Sequence, residues 1–187
     1  MNKKLKEIIK EDKQYYYGNF KNHFARMITH NPVYRMGKYI IICRKSGYYR
    51  KHNNTLLGKV FDVIYTKKKN VLGEKLNIEF GPNEFGRRIK IYHSNIVVNS
   101  GAVIGDDCEF YGNNCIGNRG SGFSLNDAPI IGNNVSIGVG SKVIGKVTVA
   151  DNVSISSMSL VNSDITESNS LYGGVPAKFI KKYTLKD

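Results

Sequence analysis

The sequence predicts a mainly β protein, a parallel β-helix that follows an α-helical N-terminal region. The β-helix is indicated by a six-residue aliphatic period that begins near residue 78, and by glycine, asparagine and aspartate between the aliphatic positions. Apolar residues at helical spacing before residue 75 indicate the helices. The 187-residue chain therefore divides into a basic helical region, residues 1–75, and a β-helix domain, residues 76–187.

The positive charge of the chain is confined to its first part. Residues 1–75 contain 18 Lys and Arg against 5 Asp and Glu, and residues 76–187 contain 10 of each, so the net charge of +13 belongs to the helical region. We expect this region to make peripheral contact with an anionic membrane, at its cytoplasmic face. Lysine decoration of solvated helices is the open alternative. No recognised motif supports binding of nucleic acid.

Three stretches of the basic region have the pattern of helices. Asn31 is a candidate N-cap before Pro32, and this helix is expected to end near Gly47. The other two helices are predicted from apolar stripes that should pack on neighbouring elements: Leu5, Ile8, Ile9, Tyr15 and Tyr16 in the first, and Leu56, Leu57, Val60, Phe61 and Ile64 in the last.

The hexapeptide period predicts which side chains fill the β-helix. Two runs of residues six apart are expected to point inward, and a third set lies four residues after each member of the second run. Asparagine, aspartate and glycine between them suit tight corners. The predicted inward residues are Val98, Ile104, Phe110 and Ile116; Ile131, Ile137, Val143, Val149, Ile155 and Val161; and Val135, Ser141, Val147, Val153, Ser159 and Ile165. Counting back six residues from Val98 predicts that position 92 is inward as well, so that His93 leaves a corner and faces outward.

The two runs are out of phase, which predicts a loop that leaves the β-helix between them. Ile116 and Ile131 are 15 residues apart, and 15 is not a multiple of six. The segment between them, residues 118–129, is rich in glycine and polar residues and ends at a proline. Loops on a rigid solenoid are common places for function.

Three motifs carry a family resemblance over residues 78–182: "IYHSNIVVNSGAVIGDDCEFYGNNCIGNRG", "PIIGNNVSIGVGSKVIGKVTVADNVSIS" and "GGVPAKFI". In this order they resemble the serine acetyltransferases and the related enzymes that O-acetylate surface polysaccharides. The resemblance implies a left-handed β-helix, a homotrimer, and acetyl-CoA as co-substrate in the groove between subunits. It also implies that His93 is the catalytic general base, which takes the proton of an acceptor hydroxyl.

The chain departs from serine acetyltransferase at two motif positions. Tyr92 replaces the aspartate expected before the histidine, and Ala128 replaces a second histidine. We therefore expect a sugar or polysaccharide precursor as acceptor; serine O-acetylation is the first alternative, and a non-catalytic scaffold with a basic binding region is the second. Candidate groups that orient His93 are Tyr92 and Tyr111. A coil of three hexapeptides would place Tyr111 in the same column as His93. A group from a neighbouring subunit is an equal alternative.

The resemblance also implies where the acetyl-CoA lies. The family's CoA-contacting turns map near Asn118, Gly138, Val139 and Ser157, and Lys178 matches a C-terminal signature where a basic residue approaches the CoA phosphates. Coils of three hexapeptides would stack positions 121, 139 and 157 on one another. The alternative is that small residues fill β-helix corners in any case.

The cysteines and histidines argue against metal and thiol chemistry. Cys43, Cys108 and Cys115 lack zinc-site spacing, so reduced thiols in a cytoplasmic protein are expected, with Cys108 and Cys115 as small packing residues. A carbonic anhydrase on the same fold needs three zinc-binding histidines, but only His93 lies in the repeat. No apolar run is long enough to span a membrane, and no secretory signal is recognised.

Overall fold

The computed structural model describes residues 1–18, 20–81, 84–120 and 127–183. The chain forms two compact units, Met1–Ile78 and Glu79–Asp187. The first unit is helical and the second is a β solenoid, as the two sequence periods predict.

The described part of the first unit contains four helices: α1 (Lys3–Tyr17), α2 (Phe20–Ile28), α3 (Pro32–Lys51) and α4 (Leu56–Leu76). Side chains cap first turns, as Asn31 does by accepting a hydrogen bond from the Val33 N–H at 2.9 Å. The predicted start of α3 is confirmed. Its predicted end is wrong, because Gly47 is buried inside a helix that continues to Lys51; tertiary packing outweighs the low helix propensity of glycine there.

Polar contacts hold α1 and α4 against α3. Asp12 and Arg44 form a buried ion pair between α1 and α3. On the other side, Arg50 donates to Thr66 at 3.0 Å, and the rings of Tyr49 and Tyr65 stack at 5.2 Å. The face of α4 that meets α3 is therefore partly polar and aromatic.

The predicted packing of the apolar stripe on α4 is confirmed for Phe61, whose ring stacks on Tyr49 of α3 at 5.0 Å, and is wrong for Leu56, Leu57 and Val60. Leu56 and Leu57 are 79% and 70% exposed, and Val60, Phe61 and Ile64 are exposed as well. The reason is the polar and aromatic face just described, which takes the place against α3. On α1 the stripe is confirmed in part, since Ile9 and Tyr16 are buried and Tyr15 is exposed.

Short strands stack into three faces in the second unit. The five-stranded face has the order β1-β3-β6-β9-β12, the three-stranded face β10-β7-β4, and the six-stranded face β14-β13-β11-β8-β5-β2. The stacked pairs are parallel, whereas β13 and β14 pair antiparallel. The strands are β1 (Ile78–Phe80), β2 (Lys90–Ile91), β3 (Ile96–Val98), β4 (Val103–Ile104), β5 (Glu109–Phe110), β6 (Asn114–Gly117), β7 (Ile130–Ile131), β8 (Ser136–Ile137), β9 (Lys142–Ile144), β10 (Thr148–Val149), β11 (Val153–Ile155), β12 (Leu160–Val161), β13 (Ser170–Gly173) and β14 (Lys178–Lys182).

From Val98 to Ile165 the interior of the β-helix is the predicted one. All sixteen residues of the two runs and the third set are buried. Corners between strands use asparagine and aspartate with positive φ, among them Asn113 (φ 54°) and Asn152 (φ 58°). The parallel β-helix is thus confirmed, and left-handedness stays a prediction.

Candidate functional site

His93 lies in an irregular corner between the six-stranded and five-stranded faces. The Tyr92 N–H donates to the Phe110 carbonyl at 3.0 Å, and the Asn113 N–H donates to the Ser94 carbonyl at 2.9 Å. Two residues, His93 and Ser94, therefore lie opposite the single residue Gly112. This is a one-residue bulge, a feature that commonly re-aims a side chain beside a functional site. The His93 side chain is exposed.

The bulge corrects two expectations about neighbouring residues. The inward residue before the corner is Ile91, which is 3% exposed, whereas Tyr92 is 39% exposed; counting back six from Val98 fails because the bulge adds one residue. For the same reason Ile91 pairs with Phe110, one position later than a regular coil would place its partner. Tyr111 therefore lies opposite Tyr92 and not in the column of His93.

The residue that stacks on His93 is Gly112. A Cβ atom built on Gly112 would lie 2.6 Å from the His93 Cβ, and the φ of Gly112 is +109°. Only glycine fits this position without moving the histidine. The backbone of the second coil therefore approaches His93 closely.

One column of corner residues continues from His93 across successive coils. Phe110 pairs with Ile137, and Ile137 with Ile155, which places Gly112, Val139 and Ser157 in line after His93. We call these four residues the His93 column. Neighbouring strands are about 4.8 Å apart, so the column spans roughly 14 Å.

Two of the predicted cofactor positions, Val139 and Ser157, fall in this column, and both are exposed. Residue 121 lies outside the described residues. Phe110 and Ile137 are separated along the chain by more than one regular coil, and among the described residues Gly112 lies next to Val139 in the column. The extra length belongs to the loop predicted at 118–129, of which residues 121–126 also lie outside the described residues.

The remaining predicted cofactor residues divide between two corners. Gly138 precedes Val139, and a Cβ on it would lie 2.5 Å from the Ser157 N. Lys178 pairs with Gly173 on the last strand of the six-stranded face, beside the end of the His93 column. Asn118 follows β6 and lies at the next corner, between the five-stranded and three-stranded faces. The structure does not bring it to the His93 column.

Buried polar side chains support the corners from inside the solenoid. Asn114 accepts from the Gly112 N–H at 2.9 Å and donates to the Gly138 carbonyl at 2.7 Å. On the next coil, the Ser141 hydroxyl donates to the Ser156 carbonyl at 2.7 Å. On the coil after that, the Ser159 hydroxyl accepts from the Gly174 N–H at 3.1 Å. These three residues, Asn114, Ser141 and Ser159, form a polar ladder that satisfies backbone groups without a strand partner.

A carboxylate fixes the two tyrosines beside His93. Glu109 accepts from Lys90 Nζ at 2.6 Å and from the Tyr111 hydroxyl at 2.9 Å. The Tyr111 ring stacks on Tyr92, with centroids 4.7 Å apart. Tyr92 precedes His93 in the chain, so Glu109 orders the start of the corner through the stacked rings.

The ionisation of this cluster follows from its hydrogen bonds. Burial would raise the pKa of Glu109, but the hydrogen bonds from Lys90 and Tyr111 outweigh it, and the pKa is lowered. The hydrogen bond to Glu109, with burial, raises the pKa of Tyr111 to about 12. At neutral pH the carboxylate is therefore charged and the phenol is a donor.

Sequence reasoning missed Gly112, Asn114, Glu109 and Lys90. The available signal was the opposite charge of Lys90 and Glu109, which lie one position further apart than a regular coil. A strict period of three hexapeptides hid that pairing, and it hid Gly112 too.

The two cysteines of the β-helix differ in burial. Burial raises the pKa of the Cys108 thiol to about 12, and this side chain is fully buried, as predicted. Cys115 is only half-buried, so its predicted packing role is confirmed in part. Within the parts of the chain that the structure describes, no three His, Cys, Asp or Glu side chains are grouped so as to hold a metal ion. No described helix is long and apolar enough to cross a membrane.

Comparison with known proteins gives the site a context. The chain is 36% identical over 98 residues to a serine acetyltransferase of Buchnera aphidicola subsp. Schizaphis graminum, which covers 52% of this chain and 37% of that protein. It is 33% identical over 129 residues to the serine acetyltransferase of Staphylococcus xylosus, covering 64% and 59%. The chain is thus similar in sequence to serine acetyltransferases over part of its length. It spans less than two thirds of the length of these relatives, and no family model matches it.

The fold agrees with this similarity. The structure of a Brucella abortus serine acetyltransferase in complex with coenzyme A superposes with a TM-score of 0.74 and 21% identity, over 98% of this chain and 70% of that one. At this identity the likeness concerns the fold. The sugar or polysaccharide acceptor expected from Tyr92 and Ala128 finds no support in these relatives, all of which are named for serine.

Proposed function

We propose that this chain is an acetyl-CoA-dependent O-acetyltransferase with serine as its acceptor. The observation that carries the proposal is the exposed His93 on its bulge, at the first position of a corner column that contains Val139 and Ser157. The names of the similar proteins support serine as acceptor, and the coenzyme A complex of the Brucella abortus protein supports acetyl-CoA as donor.

The chemistry asked of His93 is a proton relay. Its imidazole takes the proton of the serine hydroxyl as that oxygen attacks the thioester carbonyl of acetyl-CoA. The C–S bond then breaks, the acetyl group stays on the serine oxygen, and the proton passes to the sulfur of CoA. Glycine and small residues at the corners leave room for the pantetheine arm to approach the backbone, and Lys178 would face the phosphates.

A transfer assay tests the proposal. The protein is given acetyl-CoA with L-serine, and free CoA thiol and O-acetylserine are measured. We expect acetyl transfer to serine that exceeds hydrolysis of acetyl-CoA. Transfer to a free or nucleotide-linked sugar but not to serine would restore the sugar acceptor; thiol release independent of any acceptor would overturn the proposal.

Replacement of His93 tests the role of the base. His93→Ala should lower turnover by roughly a hundred- to ten-thousand-fold, the typical contribution of a general base, and leave CoA affinity nearly unchanged. His52→Ala is the matched control, because His52 is exposed in the helical unit. Near wild-type turnover of His93→Ala would rule out His93 as the base.

We also propose that the protein assembles as a homotrimer, with its acetyl-CoA grooves between subunits. Closed threefold symmetry would produce three equivalent grooves, one at each boundary between subunits. The apolar outward residues of the β-helix give that assembly a surface to bury.

A further inference from the structure

The helical unit contains an open cavity of about 740 Å³ between α1, α3 and α4. This volume is in the range of small-molecule sites, roughly 300–1,000 Å³. The lining combines basic residues from all three helices with aliphatic residues from α3 and α4. It comprises Lys13 and Tyr17 of α1; Lys38, Ile41, Ile42 and Lys45 of α3; and Ile64, Tyr65, Lys67, Lys68, Val71, Leu72 and Lys75 of α4.

The cavity combines an apolar floor with a basic rim. Ile41 and Ile42 are buried at its base, and Leu72 is half-buried. Six lysines contribute to the lining, and among the residues that the structure describes no Asp or Glu does. An apolar floor selects a hydrocarbon, and a rim of one sign selects an opposite charge.

Two of the lysines converge on one ring. Lys45 and Lys68 each place Nζ 5.4 Å from the centroid of Tyr65. Neither is in a salt bridge with a described residue. Two acids of the lining helices have arginine partners, since Asp12 binds Arg44 and Asp62 lies 3.5 Å from Arg50. Both ammonium groups therefore lie beside the Tyr65 ring, and neither has a salt-bridge partner among the described residues.

Polar contacts join the three helices that line the cavity. The buried Asp12–Arg44 pair fixes α1 on α3, and the Arg50–Thr66 hydrogen bond, at 3.0 Å, fixes α4 on α3. A ligand would therefore meet a preformed site, which lowers the cost of binding.

We propose that this cavity binds a single-chain amphiphile with a phosphate head group. The chain lies on Ile41, Ile42 and Leu72, and the head group lies between Lys45 and Lys68, since lysine is a common point-charge partner of phosphate. A second copy of this chain is a poor occupant, because the helical region of each copy carries the excess of 18 basic over 5 acidic residues.

Calorimetry with the full-length protein tests the proposal, using dodecyl phosphate below its critical micelle concentration. We expect one molecule bound per chain, and much weaker binding of dodecyl maltoside or of inorganic phosphate alone. Lys45→Gln combined with Lys68→Gln should weaken binding roughly ten- to thirtyfold. The matched control is Lys10→Gln with Lys59→Gln, the same charge change at exposed positions outside the cavity; it should bind as the wild type does.

Three results would overturn the proposal. Equal affinity for dodecyl maltoside would remove the role of the phosphate, and equal affinity for inorganic phosphate would remove the role of the chain. Equal loss in both double variants would reduce the effect to overall charge. Thermal melting confirms that each variant is folded. The double variant Lys13→Gln with Lys38→Gln removes two other lysines of the rim and should also weaken binding.

Discussion

A single extra residue determines how His93 is presented. In a regular coil, position 93 would continue the alternation of the strand, and its neighbours would follow at intervals of one coil. The bulge instead sets His93 and Ser94 against Gly112, so the histidine projects from a corner where the next coil has no side chain. The motif identified the residue, and the geometry explains why it is accessible.

Gly112→Ala should damage the site more than the fold. The added Cβ would lie 2.6 Å from the His93 Cβ, and a displacement of about 1 Å costs roughly a hundredfold in turnover. Gly120→Ala is the matched control, because Gly120 has φ +112° but no atom within 4 Å of a built Cβ. Both variants carry similar backbone strain, so the comparison of turnover and of melting temperature isolates the contact with His93. Equal turnover in the two variants would contradict the role of Gly112.

Glu109→Gln should change stability in a pH-dependent way. The lowered pKa of Glu109 means that its stabilisation is present above its usual pKa of 4.5 and is lost as pH falls through the lower folded value. The wild type should therefore exceed the variant in free energy of unfolding by about 1 kcal/mol at pH 7, and by little at pH 3. Denaturant unfolding at both pH values measures this, with Glu79→Gln as an exposed control. A difference that persists at pH 3 would assign the effect to packing.

The residue-level predictions succeeded where the repeat is regular. The six-residue period located every inward side chain from Val98 to Ile165 that it assigned, because burial on a narrow lumen leaves few alternatives. It failed at Tyr92 and Tyr111, since a bulge residue adds length without adding an inward position. Neighbouring Ile91 and Tyr92 could both fill a lumen, so composition could not decide between them.

At the scale of the elements, the polar ladder supports the corner that presents His93. Asn114, Ser141 and Ser159 are nearly fully buried and stack on consecutive coils. The sequence predicted Ser141 and Ser159 as inward residues chosen for size. Their hydrogen bonds to corner backbone groups are a second reason, which periodicity alone does not reveal.

Asn114→Leu should therefore destabilise the corner although its volume fits. The Gly112 N–H would lose its partner, and a buried unsatisfied group costs about 1–3 kcal/mol. The Gly138 carbonyl would keep only the Ser141 N–H, at 3.2 Å. Chemical denaturation measures that loss. Ile96→Leu at the equivalent position of the preceding coil is the control, since it changes shape without removing a polar partner. Similar losses in both variants would reduce the role of Asn114 to packing.

In the helices, the sequence pattern predicted the elements better than it predicted their packing. The cap at Asn31 is local and was predicted from the sequence, and Thr55 caps α4 in the same local way, by accepting from the Gly58 N–H at 3.0 Å. The surface that covers each helix face is not a local property. The stripe of Leu56, Leu57 and Val60 satisfies the helical period, yet α3 is met by the side of α4 that carries Asp62 and Thr66. A periodic stripe predicts a helix but does not name the surface that covers it.

At the scale of the whole molecule, the outer side of the three-stranded face is the candidate interface of the proposed homotrimer. Val103 and Ile130 stack in register and are 53% and 48% exposed, although their strands are otherwise well packed. Thr148 continues the column. Exposed aliphatic side chains on a flat face are typical of an interface between subunits.

The proposed homotrimer predicts three chains of 21.0 kDa in solution, and sedimentation equilibrium measures this mass. Val103→Lys with Ile130→Lys should dissociate it, because burying two unpaired ammonium groups at an interface is strongly unfavourable. Ser163→Lys is the control, a lysine at an exposed position of the same solenoid. If catalysis uses grooves between subunits, turnover should fall together with the trimer fraction as the double variant is diluted. A wild type that is monomeric at micromolar concentration, or a double variant that remains trimeric, would exclude this face as the interface.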